Sequence, residues 1–157
     1  MTLPREETKQ ELRQLAFRDI EPGMALARYI LSVLMVGIGL LHFVVDDIFV
    51  QIVPPAFPAP YALVWISGVI EIALGLGILF ERTRRLAGFG LVALYIAVFP
   101  ANIYMAVSNV QIQGLPAWAV QPSPTALWLR LPFQIALILW ALWVAEIWPR
   151  PRLRVSQ

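Results

Sequence analysis

One apolar stretch, residues 60–80 (PYALVWISGVIEIALGLGILF), carries a single charge at its midpoint. At ~1.5 Å rise per residue it is long enough to cross the ~30 Å hydrocarbon core of a bilayer. The charge is Glu71, and an acidic side chain at the centre of a membrane helix costs roughly 2.5 to 3.5 kcal/mol even on insertion-based scales. We therefore expect another part of the chain to compensate it.

The composition indicates an integral membrane protein with one domain. Of 157 residues, 59% are hydrophobic and 14% are charged, whereas soluble domains carry about 25% charged residues. The chain has no cysteine and one histidine. This excludes thiol redox chemistry, cysteine-ligated clusters and a haem with two histidine ligands from one chain, so no metal site and no catalytic residue is predicted.

Hydropathy predicts an all-α fold, an integral membrane four-transmembrane-helix bundle formed by residues 24–148. The expected spans are residues 24–45, 60–80, 86–107 and 127–148. Before them, residues 1–23 are predicted to be a cytoplasmic tail with an amphipathic interfacial helix, because Thr8 and Glu11 form a capping-box pattern. A frayed tail without this helix is the alternative. Residues 149–157 are predicted to be a basic cytoplasmic tail.

The connections between the spans differ in character. Residues 48–60 are apolar but contain four prolines, so we expect a short segment that lies at the interface or caps the bundle. Residues 81–85 (ERTRR) are predicted to be a tight basic turn, and residues 108–125 an uncharged loop. Lys and Arg are concentrated before the first span, between spans two and three, and after span four. The positive-inside rule then places both termini in the cytoplasm. We interpret the net charge of +2 as this topology signal rather than as nucleic-acid binding.

Five polar side chains fall in the outer half of the membrane when depth is counted at ~1.5 Å per residue. His42 is expected about 5 Å deep and Glu71 about 16 Å deep. Intramembrane ionisable groups commonly mark functional sites, so this convergence predicts a polar ligand pocket. Its predicted residues are His42, Glu71, Asn102, Arg130 and Gln134, supported by Ser67 on the face of Glu71 and by Pro100, which frees a backbone carbonyl.

Arg130 is the expected partner of Glu71, because a guanidinium reaches several ångströms and binds a carboxylate with two hydrogen bonds. The alternatives are that Arg130 extends to the headgroups, or that a Glu–Arg pair only holds the helices together. Near the other end of the bundle, Glu146 is expected to form a solvated ion pair with Arg150, four residues later.

Several short segments resemble the DoxX and DoxX-like family of small bacterial membrane proteins, across residues 24–148. The matching segments are Gly37-x-Gly39-x-x-His42-Phe43, Ile52-Val53-Pro54-Pro55, Ser67-Gly68-x-x-Glu71, Phe99-Pro100-Ala101-Asn102-Ile103-Tyr104-Met105 and Arg130-Leu131-Pro132-Phe133-Gln134. The resemblance implies a four-helix inner-membrane protein near quinone-linked or respiratory redox complexes, with quinone as the implied ligand.

Three functions are compatible with these residues. The first is a membrane subunit of a respiratory or redox complex that binds a quinone or another small amphiphile, with His42, Arg130 or Gln134 hydrogen-bonding its carbonyls and Glu71 accepting a proton. The chain holds no complete redox centre, so this function requires partner subunits. The second is an accessory or assembly subunit in which the polar cluster is structural. The third is a small transporter, which would have to oligomerise to form two gated halves.

Overall fold

The computed structural model describes residues 22–115 and 121–148, and all regular secondary structure in these ranges is helical. The predicted all-α fold is confirmed. The helices are α1 (Pro22–Val44), α2 (Asp46–Val50), α3 (Pro60–Gly77), α4 (Glu81–Ser108) and α5 (Pro124–Val144). The predicted amphipathic helix and basic tail fall on residues 1–21 and 149–157, outside the described residues.

Four helices, α1, α3, α4 and α5, are long and apolar enough to cross a membrane. The chain is therefore a multi-pass membrane protein in a lipid environment. Proline occupies the first turn of α3 and of α5, where its missing N–H is not needed. Ser123 caps α5 by accepting a hydrogen bond from the Ala126 backbone N–H over 3.2 Å.

The predicted basic turn at residues 81–85 is wrong, because these residues form the first turn of α4. Glu and Arg are good helix formers, and an acidic residue in the first turn interacts favourably with the helix dipole. The connection is instead residues 78–80, where Thr83 Oγ1 donates a hydrogen bond back to the Gly77 carbonyl over 2.8 Å. The last span is also shorter than predicted, since α5 ends at Val144.

The four long helices form a ring in which α1 packs on α3, α3 on α4, α4 on α5, and α5 less extensively on α1. The main core joins α1, α4 and α5 through buried side chains that include Leu31, Met35, Leu91, Tyr95 and Val144. A smaller cluster around Met105 and Leu127 lies towards the other end of α4 and α5.

We call the end of the bundle with Arg28, Arg84 and Glu146 the basic end, and the end with residues 46–59 the cap end. The segment 46–59 contains the short helix α2, which packs against α3. Gln51 fastens this segment to the chain after α4: its side chain donates to the Gln113 carbonyl over 3.1 Å and accepts from the Gln113 N–H over 2.7 Å. The segment thus caps one end of the bundle. This was one of the two arrangements predicted for it, the other being a segment that lies at the membrane interface.

Candidate functional site

Two glycines bring α1 and α3 into backbone contact. A Cβ atom on Gly39 would lie 2.7 Å from the Gly68 carbonyl oxygen, and one on Gly68 would lie 2.8 Å from the Gly39 carbonyl oxygen. Both distances are too short for any side chain, so these positions require glycine. His42 and Glu71 each lie three residues beyond one of these glycines, and the close contact holds their side chains together.

His42 and Glu71 form a buried pair between α1 and α3. The His42 Nδ1 atom lies 3.6 Å from Glu71 Oε2 and 2.8 Å from the Ile38 carbonyl oxygen. Since a carbonyl only accepts hydrogen bonds, Nδ1 carries a proton, and in the neutral ring Nε2 is then an acceptor. Phe49 of α2 stacks on the imidazole with ring centroids 3.9 Å apart, so the cap segment covers the pair.

Glu71 is only 7% exposed, and its Oε2 atom has no hydrogen-bond partner among the described residues. A carboxylate buried in an apolar environment without a hydrogen-bond partner is costly. Within residues 22–115 and 121–148, no group of three or more His, Cys, Asp or Glu side chains is placed to hold a metal ion.

The predicted depths of His42 and Glu71 differed by about 11 Å, yet the two side chains are neighbours. The error came from counting depth from the end of each helix. The first turns of α3 extend past the end of α1 and pack on the cap segment instead. There Tyr61 donates to Asp47 Oδ1 over 2.7 Å and the Trp65 indole donates to Asp46 Oδ2 over 3.1 Å.

A second polar group connects α4 and α5. Asn102 Nδ2 donates to Gln134 Oε1 over 2.6 Å, and Gln134 Nε2 donates to the Tyr95 carbonyl. Tyr95 also donates its hydroxyl to Met35 Sδ on α1 over 3.3 Å, within electrostatic range of Glu71. Pro100 cannot donate a hydrogen bond to the carbonyl four residues earlier, so a free carbonyl was expected near residue 96. Gln134 binds the carbonyl of Tyr95, one residue before that position.

A groove of about 290 Å³ lies beside this second group, on the lipid side of α4 and α5. It includes Gln134 but none of His42, Glu71 and Arg130. The lining residues are Tyr95, Ile96, Phe99, Gln134, Ile135 and Ile138. The five predicted pocket residues therefore do not line this groove together, and they divide between the α1–α3 and α4–α5 contacts.

Arg130 does not pair with Glu71, so this part of the prediction is wrong. The residue is exposed, and its Nη1 atom contacts Met105 Sδ at 3.6 Å. Glu71 lies on α3, which is not a neighbour of α5 in the ring. Ser67 also stays apart from Glu71, because its hydroxyl donates to the Val64 carbonyl of its own helix over 2.9 Å. Pro100 is exposed and acts only through the backbone.

The largest feature missed from the sequence is an ion-pair cluster at the basic end. Arg28, only 5% exposed, pairs with Glu146 and donates from Nε to the Val144 carbonyl over 2.7 Å. Arg84 Nη1 also binds Glu146, over 3.1 Å, and its Nε donates to the Ile78 carbonyl over 3.3 Å. Each arginine therefore also caps the carboxyl end of a helix.

Glu146 was predicted to pair with a residue four positions later on the same helix. Glu146 has φ 58° and lies beyond the end of α5, so it is not part of that helix. Its expected partner Arg150 lies outside the described residues. Arg28, an arginine inside the first turns of the first predicted span, was the sequence signal that pointed to this cluster. Tyr95 and Phe49 were also missed, and a tyrosine at the middle of an apolar span was the signal for Tyr95.

Comparison with known proteins gives one match. No curated protein and no solved structure matches the chain. A family model described as a domain of unknown function (DUF8561) matches residues 31–145, a range that holds His42, Glu71, Asn102, Arg130 and Gln134. Because this range covers most of the chain, the protein belongs to the DUF8561 family.

Proposed function

We propose that the protein is a membrane subunit that binds a quinone or another small amphiphile and exchanges a proton with its head group at the His42–Glu71 pair. The observation that carries this proposal is the buried Glu71 Oε2 atom, which has no hydrogen-bond partner among the described residues. A carboxyl group that only held helices together would gain most from a cationic partner, and Glu146 has two, Arg28 and Arg84. Glu71 instead keeps a buried oxygen without a hydrogen-bond partner among the described residues.

The chemistry of the pair suits a ligand that alternates between hydroxyl and carbonyl forms. His42 Nε2 accepts a hydrogen bond from a hydroxyl, and the Glu71 carboxyl takes up or returns a proton. Oxidation of a quinol releases two protons and two electrons. This chain has no cysteine and one histidine, so the electrons would pass to a redox centre in a partner subunit. The resemblance to DoxX proteins stays a prediction and favours the quinone class.

The distribution of arginine supports an orientation in the bacterial inner membrane. Arg28, Arg82, Arg84 and Arg85 lie at the basic end, where the positive-inside rule predicts the cytoplasm. The proposed site would then lie in the outer half of the bilayer, below the cap segment. The variants Ser108→Cys and Thr83→Cys each place a cysteine near one end of α4, at opposite ends of the helix. Labelling these cysteines from outside intact cells tests the orientation, and we expect Ser108→Cys to react and Thr83→Cys to stay protected.

The test of the proposed function uses protein purified from its native membrane in mild detergent. We expect lipid extraction to yield a stoichiometric quinone from the wild type, and Glu71→Gln to weaken its retention about tenfold, as expected for one charge-assisted hydrogen bond. Glu81→Gln, at an exposed residue in the first turn of α4, is the matched control and should retain the quinone. Absence of quinone from the wild type, or equal retention by Glu71→Gln, would contradict the proposal.

The second candidate, an accessory or assembly subunit with a structural polar cluster, is supported by the Gly39–Gly68 contact and by the Asn102–Gln134 hydrogen bond. Both are means of fastening membrane helices. Affinity purification from the native membrane distinguishes the two. An obligate assembly subunit should come out with partner chains in fixed stoichiometry, and Glu71→Gln should not alter that stoichiometry.

A further inference from the structure

The contact between α1 and α5 is tight at the basic end and loosens towards the cap end. On α1, Leu31 is 1% exposed, whereas Ile38, two turns closer to the cap end on the same side of the helix, is 41% exposed. On α5, Val144 is fully buried and Phe133 is 61% exposed. The two helices thus border a cleft that opens towards the cap end.

One charged side chain lies on α5 close to this exposed region. Arg130 precedes Phe133 by three residues, about one helical turn, is itself exposed, and contacts Met105 Sδ of α4. It is the only Lys or Arg between residues 86 and 149. None of the described carboxylates pairs with it, and Asp46 and Asp47, also at the cap end, bind Trp65 and Tyr61.

A cation on an apolar cleft within a bilayer is stabilised by an anion that reaches it from the lipid. Guanidinium and phosphate match in shape and form two parallel hydrogen bonds. On α5, Phe133 follows Arg130 and is apolar and exposed. Leu34, Ile38 and Leu41 of α1 are apolar and exposed as well. A hydrocarbon chain therefore fits beside the charge.

We propose that the cleft between α1 and α5 is a binding site for an anionic phospholipid, whose phosphate binds Arg130 and whose acyl chain lies against Ile38 and Phe133. This site is separate from the His42–Glu71 pair and does not depend on its proposed function. Its selectivity for the anionic headgroup comes from the single unpaired charge, and its preference for a lipid over free phosphate comes from the apolar walls.

The test is native mass spectrometry of the full chain, released from vesicles of phosphatidylglycerol and phosphatidylcholine in equal amounts. We expect one phosphatidylglycerol to remain bound to each chain of the wild type. Arg130→Gln should lower its retention about tenfold relative to phosphatidylcholine, the effect of removing charge-assisted hydrogen bonds. Arg85→Gln is the matched control, because it neutralises an exposed arginine at the basic end.

Two further variants keep the test decisive if Arg130→Gln folds poorly. Arg130→Lys retains the charge and should retain part of the phosphatidylglycerol preference, whereas Ile38→Trp fills the cleft, keeps Arg130 and should lose the bound lipid. Glu71→Gln should leave lipid retention unchanged, which separates this site from the proposed quinone site. Equal retention of both lipids by the wild type, equal losses in Arg130→Gln and Arg85→Gln, or a dimer that excludes lipid would overturn the proposal.

Discussion

Glu71 and Glu146 are the same residue type in one bundle, the first inside α3 and the second at the basic end, and their surroundings differ in almost every respect. Glu146 receives two arginine side chains that come from α1 and α4. Glu71 has only His42 beside it, at 3.6 Å, and one oxygen without a hydrogen bond. The basic end is thus held together by ion pairs, whereas Glu71 has no arginine or lysine partner among the described residues.

The positions of the two residues explain the difference. Glu146 lies past the end of α5, where long arginine side chains from two other helices reach it and where its side chain is 35% exposed. Glu71 lies inside α3, beside the backbone contact of Gly39 and Gly68. At this position His42 is its ionisable neighbour, and no long arginine side chain reaches it. A buried charge without a partner persists in a protein mainly where it serves a function.

The largest effect that we expect is from Glu146→Gln. This change leaves the buried Arg28 without a counter-charge, and breaking one partner of a buried pair costs about 3 kcal/mol or more in the free energy of unfolding. Reversible unfolding in mixed detergent micelles, followed by circular dichroism, measures the loss. A loss below that of Glu81→Gln, at an exposed residue, would show that the basic end is not the stabilising end.

Gly68→Ala should come next. The added Cβ would lie 2.8 Å from the Gly39 carbonyl oxygen and from His42 Cβ, and such overpacking costs about 1 to 3 kcal/mol. Gly37→Ala is the control, since nothing lies within 4 Å of its added Cβ. Its higher helix propensity should stabilise α1 by up to about 1 kcal/mol. If both variants were more stable than the wild type, Gly39 and Gly68 would not be in the close backbone contact that holds the His42–Glu71 pair.

Gln134→Leu removes the hydrogen bonds to Asn102 and to the Tyr95 carbonyl. Interhelical hydrogen bonds in membranes contribute about 1 kcal/mol, so we expect a loss of that size in the same unfolding measurement. Ser67→Ala removes a hydrogen bond within one helix and should change stability by less. Equal losses in the two variants would argue against a fastening role for the α4–α5 polar group.

The smallest stability effect is expected from Glu71→Gln, the same substitution as the one at Glu146. The amide has the shape of the carboxyl group, and no cationic side chain loses its partner, so the free energy of unfolding should change by less than about 1 kcal/mol. Comparing the two Glu→Gln variants in one unfolding series tests the difference between the ends directly. A loss as large as that of Glu146→Gln would make Glu71 a structural residue.

Much of the fold was predictable because it depends on composition and local pattern. Long apolar segments must be helical in a bilayer, since every backbone group needs a partner within the chain. Asn102 and Gln134, which were predicted to lie in one polar group, do contact each other. The predicted helix ends were less accurate. Residues 81–85 are highly charged, which suggested an exposed turn, but Glu and Arg also have high helix propensity and begin α4 here.

The partners of the charged residues were not predictable from the sequence. Depth along each helix placed His42 and Arg130 equally far from Glu71, so depth alone could not decide which of them is its neighbour. The lateral order of the helices puts α1, not α5, beside α3. The offset of α3 past the end of α1 then brings His42 level with Glu71.

The sequence by itself determined four membrane-spanning helices, a buried carboxyl group in one of them and the concentration of arginine at one end. Only the tertiary structure decided which helices are neighbours, that Glu146 is paired twice, and that Glu71 meets His42 rather than Arg130. The physical reason is that hydropathy sets how deep a residue lies, whereas packing between helix surfaces sets what lies beside it.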